Sequence, residues 1–123
     1  MSSQTTFRVG GVEIEVENRT FGDDGGPAVR VFGDVEDRAV QLLRFDCFKK
    51  KPHYHYDPAG KDKLHPLDHQ TVPDPVGWTL TQLREHLPEM IRTAGYESAA
   101  ARVDQAAVAT ILPEIEAIMR SGA

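Results

Sequence analysis

The sequence predicts an α+β fold: an N-terminal antiparallel sheet of four to five strands, covered on one face by two to three C-terminal helices. Three observations predict it. Val12, Ile14 and Val16 alternate with Glu13, Glu15 and Glu17, the period-two pattern of a strand with one dry and one wet face. Leu80, Leu83 and Leu87 recur at helical spacing in the last third. The links between the strand-like runs are short, which makes neighbouring strands antiparallel, and strands-then-helices is the order of an α+β domain.

The elements follow in order. Met1–Thr6 is short and polar and expected to fray. Phe7 and Val9 belong to a first strand, and Gly10-Gly11 supplies a two-residue hairpin turn to the second. Asp23-Asp24-Gly25-Gly26-Pro27 reads as a turn, Ala28–Val35 as a third strand and Asp34–Arg38 as the next turn. Ala39–Phe48 is a long fourth strand, and Pro52–Tyr56 a short fifth beyond Lys49-Lys50-Lys51. The sheet thus spans about 6–56. The stretch 57–78 carries Pro58, Pro66, Pro73 and Pro75 without periodicity and reads as one long loop. The helical part, about 79–121, opens on a capping box of Thr79 and Gln82. Pro88 kinks or restarts the first helix, Gly95 stops it, and Ser98 caps an alanine-rich final helix that Pro113 bends or divides. Val103, Ala107, Ile111, Ile115, Ile118 and Met119 form its apolar stripe. The whole, 1–123, reads as a single domain.

Composition narrows the partners. The chain has 123 residues and a formal charge of −5. That balance speaks against nucleic acid, whose phosphates need a basic surface. No apolar run approaches the ~20 residues of a membrane span. Cys47 is the single cysteine, so no internal disulfide can form, and a reducing, cytoplasmic setting is expected. Beside Phe45 and Phe48 it reads as a small buried hydrophobe. Trp78 reads as a core anchor, and Glu13, Glu15 and Glu17 as a solvated stripe.

The chemistry concentrates in one place. His53, His55, His65 and His69 fall in the span Pro52–His69. On a strand, His53 and His55 share one face, with Tyr54 and Tyr56 on the other. Two imidazoles so spaced can share an ion, with His65 and His69 as further ligands and Asp57 or Asp68 as a carboxylate. Such nitrogen and oxygen donors suit a divalent transition metal. A two- or four-residue turn at 49–52 pairs Phe48 with His53 and Asp46 with His55, so that Asp46 orients or joins the site. A three-residue turn instead sets Cys47 opposite His53, on the flipped face. Arg44 can hold an anion or pair with Asp46 or Asp57. No CxxC pair, HExxH helix, GxSxG elbow, P-loop or GxGxxG fingerprint occurs.

Leu42-Leu43-Arg44-Phe45-Asp46-Cys47-Phe48 with Pro52-His53-Tyr54-His55-Tyr56, together with Val72-Pro73-Asp74-Pro75, Trp78 and Leu87-Pro88-Glu89-Met90, resembles a family of small uncharacterised bacterial proteins, a domain of unknown function. The resemblance implies a self-contained domain and no activity. The readings of function are therefore metal or small-ligand binding through the histidine-rich strand and loop; a homodimer or partner-binding module without catalysis, using surplus apolar surface on the helical tail; and, third, a small hydrolase or isomerase with His53 or His55 as base and Asp46 orienting it.

Overall fold

A computed structural model describes residues 4–121. Six strands form one antiparallel meander in the order β1-β2-β3-β4-β5-β6. They are β1 (Gln4–Val9), β2 (Val12–Phe21), β3 (Asp24–Val35), β4 (Arg38–Asp46), β5 (His53–Tyr56) and β6 (Lys63–Pro66). Five helical segments follow: α1 (Pro75–Glu85), α2 (Leu87–Thr93), α3 (Glu97–Ala101), α4 (Gln105–Ala109) and α5 (Leu112–Ser121). The α+β class and the antiparallel sheet are as predicted, but both element counts exceed the expectation. Residues 1–3, part of the stretch expected to fray, and 122–123, at the end of the predicted domain, lie outside the described residues. Gln4, Thr5 and Thr6 are paired in β1.

The extra strand lies in the stretch read as loop. Asp57 and Asp62 adopt positive φ, 54° and 49°, and between them the chain reverses. Asp62 N–H donates to the Asp57 carbonyl at 2.7 Å, and Lys61 N–H to the Asp57 carboxylate at 2.8 Å. Lys63-Leu64-His65-Pro66 then pairs along β5 as an exposed edge. A short edge strand tolerates Pro66 and lacks the alternation that would betray it.

The first turn obeys its glycines, whereas Asp24–Pro27, read as part of a turn, is paired with β2 inside β3. Gly10 and Gly11 take φ of 58° and 82°, as a two-residue hairpin requires. They also lie flat on the α3–α4 connection: an added Cβ would come within 2.6 Å of the Asp104 carbonyl oxygen at Gly10 and 2.3 Å of the Arg102 carbonyl oxygen at Gly11. The expected capping box does not form. α1 starts earlier, at Pro75, and Thr79 is buried inside it, because proline with its preset φ suits the first helical position. Ser98 lies one residue inside α3, and Asp104 is the residue that caps, accepting from Ala107 N–H at the start of α4. Pro88 starts α2, Gly95 (φ 103°) follows its end, and Pro113 lies at the start of α5.

Register assigns the two faces. Ile14 opposes Val31, which opposes Leu43, which opposes Tyr56; Val16 opposes Val29, then Phe45, then Tyr54. This face meets Leu83, Leu87, Ile91, Ile115 and Met119 in the core. A bulge between Val31 and Phe32 leaves Leu42 unpaired in register, and both Leu42 and Leu43 are fully buried. Trp78 anchors this layer, 4.9 Å from the Tyr54 ring and 6.2 Å from Phe45. Val108, Leu112, Ile115 and Met119 of the helical tail are themselves buried. Among the described residues the strongly exposed large hydrophobics are instead Phe21 and Leu64, both on the sheet.

The opposite face is polar but not simply wet. Its rows run Glu15–Arg30–Arg44–His55 and Glu17–Ala28–Asp46–His53. Arg30 binds Glu15 at 2.8 Å and Glu17 at 3.0 Å. Two of the three glutamates expected in a solvated stripe are thus largely covered and ion-paired. Among the described residues no helix is long and apolar enough to cross a membrane.

Candidate metal centre

The polar face is built around Asp46, 1% exposed. Asp46 opposes His53 and Arg44 opposes His55, two residues away from the predicted register. The cause is upstream: after β4 the chain stays on β3, with Cys47 N–H on the Pro27 carbonyl and Lys49 N–H on the Gly25 carbonyl. The Asp24 carboxylate then receives Lys50 N–H at 3.0 Å and Lys51 N–H at 2.9 Å. These backbone bonds hold the Asp24 carboxyl below the usual carboxylate range, although burial opposes them. A shift of two residues keeps side chains on the same face, so Asp46, His53 and His55 still meet.

The two imidazoles are oriented alike. Nδ1 of His53 lies 2.8 Å from the Lys51 carbonyl oxygen, and Nδ1 of His55 lies 2.7 Å from Asp62 Oδ1. A carbonyl or carboxylate oxygen only accepts, so each Nδ1 carries a proton and donates it. In its neutral form such a ring carries a lone pair on Nε2. Those atoms face one carboxylate oxygen: Asp46 Oδ2 is 3.0 Å from Nε2 of His53 and 3.5 Å from Nε2 of His55. With both rings neutral, three acceptors meet here, and either a cation among them or a proton on His53 Nε2 relieves their repulsion. The three ligand atoms lie within 4.8 Å of one another.

Arg44 supplies part of that positive charge. Its Nε donates to Asp46 Oδ2 at 3.0 Å and its Nη2 to His55 Nε2 at 2.9 Å. Arg19 Nη1 is 3.6 Å from Asp46 Oδ1, beyond hydrogen-bonding reach. That buried oxygen therefore has no hydrogen-bond partner among the described residues. Burial, helped by Arg44, lowers the His55 pKa from its usual value, outweighing Asp62 and Asp46, which raise it. A neutral ring is the form that binds metal.

The other candidate residues are not brought here. His65 opposes Tyr54 on the helix-covered side, stacked on its ring at 5.1 Å, because an adjacent-strand partner shares a face. His69 is exposed, with Nε2 donating to the Lys50 carbonyl at 3.0 Å. Asp68 accepts from Gln70 N–H in a local turn, and Asp57 takes the Tyr96 hydroxyl. Cys47 lies on the core side, 3.2 Å from Thr79 Oγ1, and burial pushes its thiol up to about 12, so the register that would pair it with His53 is not adopted. Asp62 and Arg19 were missed from sequence. Asp62 could have been found only by reading 57–62 as a hairpin turn, which places it beside His55.

A family model described as Domain of unknown function (DUF7700) matches residues 6–119 of the chain. No curated protein and no solved structure matches the chain.

Proposed function

The chain belongs to the family Domain of unknown function (DUF7700), and we propose that in it Asp46, His53 and His55 bind a divalent transition-metal ion. The observation that carries this reading is the common orientation of the two histidine rings. Both Nδ1 atoms face fixed acceptors, and both Nε2 atoms turn to one buried carboxylate. Donation of the second ring nitrogen to a carbonyl or carboxylate is the usual support of a metal-bound histidine. The spacing agrees. Ligand atoms about 2.1 Å from one ion lie about 3.0 Å apart at a right angle and about 3.4 Å apart at the tetrahedral angle. The two histidine–aspartate separations are 3.0 and 3.5 Å. Two imidazoles and one carboxylate suit zinc, iron(II), manganese, nickel or copper(II). Three protein ligands leave coordination positions open, as at catalytic zinc sites and unlike closed structural ones.

The test is a titration of metal-stripped protein lacking a histidine tag with Zn²⁺, Mn²⁺, Fe²⁺, Ni²⁺ and Cu²⁺ in turn. Roughly one ion per chain is expected for at least one metal. The variants H53A, H55A and D46N should each weaken it at least about 100-fold, since a first ligand matters no less than its supports. Less than a few tenths of an ion per chain for all five metals would end the reading.

A second reading rests on Arg44. Its guanidinium already bridges His55 and Asp46, so the site is also intelligible without metal. His55, kept neutral and oriented by Asp62, would then be a general base beside a cation that holds an anionic substrate.

A further inference from the structure

We propose that the groove beside His53 binds an aromatic carboxylic acid of one or two rings, its carboxylate taking open positions on the metal ion; this rests on the metal reading above. Of the three ligands, Asp46 and His55 are 1% and 5% exposed, whereas the His53 side chain retains 19%. An outside ligand therefore reaches the ion past His53. His53 lines a groove of about 620 Å³, within the usual range for small-molecule sites.

The walls of the groove define the guest. They include Phe21, Phe48, Pro52, Leu64, Pro66 and Leu67. Phe21 and Leu64, 64% and 51% exposed, are the two large hydrophobics left strongly exposed among the described residues, and both lie on this one groove. Phe21 stacks on Phe48 at 6.1 Å, and Phe48 meets the His53 ring edge-on at 5.7 Å. A flat apolar body would extend this aromatic series as far as the histidine.

The metal ion selects an acid. Lys50 and Lys51 stand on the lining with Asp23 and Asp24; Asp23 pairs with the Lys50 ammonium and Asp24 accepts the Lys50 and Lys51 backbone N–H groups, so the charges of the lining itself balance. Arg19 lies 6.0 Å from the Phe21 ring and 5.9 Å from the Phe48 ring. A divalent ion behind His53 adds positive charge to the inner end of this balanced lining, and a carboxylate is an oxygen donor that such an ion accepts.

The experiment follows metal loading with 2-naphthoate, 2-naphthamide and acetate, each titrated calorimetrically into protein with and without Zn²⁺. Naphthoate should bind the zinc-loaded protein at least about tenfold more tightly than either control and than it binds zinc-free protein, the scale of one good contact. The double variant F21A/L64A changes exposed side chains only; it should keep zinc affinity and lose about tenfold in naphthoate affinity. Zinc binding without naphthoate binding, equal binding of the amide, or no dependence on zinc overturns the inference and leaves the metal reading standing. Failure to load zinc or any other of the five metals overturns both.

Discussion

The Nη2 of Arg44 lies 2.9 Å from the Nε2 of His55, on the lone pair that a metal ion would use. Its Nε simultaneously bonds the Asp46 carboxylate. The guanidinium is thus both the partner that makes a buried carboxylate tolerable and a competitor for its metal. Replacing it separates the two roles. In R44M the metal-free protein should lose about 3–5 kcal/mol, the cost of breaking a buried ion pair by removing one partner. Metal affinity should rise at least about tenfold, since no cation has to be displaced. Chelator competition and thermal melts with and without metal read both quantities. Weaker metal binding in R44M would show instead that Arg44 supports the site.

How far the sequence revealed this site follows from sheet geometry. Alternation alone placed His53 and His55 on one face and the tyrosines on the other, and parity carried Asp46 to the same face even though its opposite number was misjudged. What alternation cannot report is where a chain turns. The 47–52 connection is longer than a tight turn because Asp24, distant in sequence, ties down Lys50 and Lys51. The 57–62 reversal rests on positive φ at two aspartates, where glycine would have been the signal. Missing that turn cost both β6 and Asp62, and it gathered His65 into a cluster from the wrong side of the sheet.

The pH dependence of stability has a definite sign. His55 titrates below the ordinary histidine value of 6.5 in the folded protein because of burial and Arg44. Below pH 6.5 the unfolded chain therefore takes up a proton that the folded one resists, and protons favour unfolding. In metal-free protein the stability from this residue is fully present above pH 6.5. It declines as pH falls from there toward the folded pKa. H55N should flatten that slope in denaturant midpoints measured across the window. An unchanged slope would mean that His55 is not the group responsible.

Tyr96 holds the far side of the site. Its hydroxyl donates to Asp57 Oδ1, and burial together with that carboxylate pushes its pKa up to about 12. Asp57 closes the reversal that delivers Asp62 to His55. Y96F should therefore cost about 1–2 kcal/mol, a hydrogen bond to a charged group. Through the loosened turn it should also weaken metal binding a few-fold, within the range seen for outer supports of a ligand. Loss of stability with metal affinity untouched would show that the turn and the site are independent.

Cys47 provides a test of the packing that supports the site from behind. Its carboxylate neighbour Asp46 faces the histidines, while the thiol points into the core, 3.2 Å from Thr79 Oγ1 and 3.6 Å from the Pro75 carbonyl. Burial raises its pKa to about 12, so at neutral pH almost no thiolate exists to act as a nucleophile. Native protein should react with a thiol reagent only through opening of the contact between Cys47 and α1. Modification should then be slow, should accelerate in step with denaturant, and should reach completion on unfolding. Fast labelling of the folded protein would place the thiol on the solvent side, in the flipped register that sets it opposite His53. The Asp46–His53–His55 arrangement would then be lost with it, because one strand cannot turn both residues to the same face.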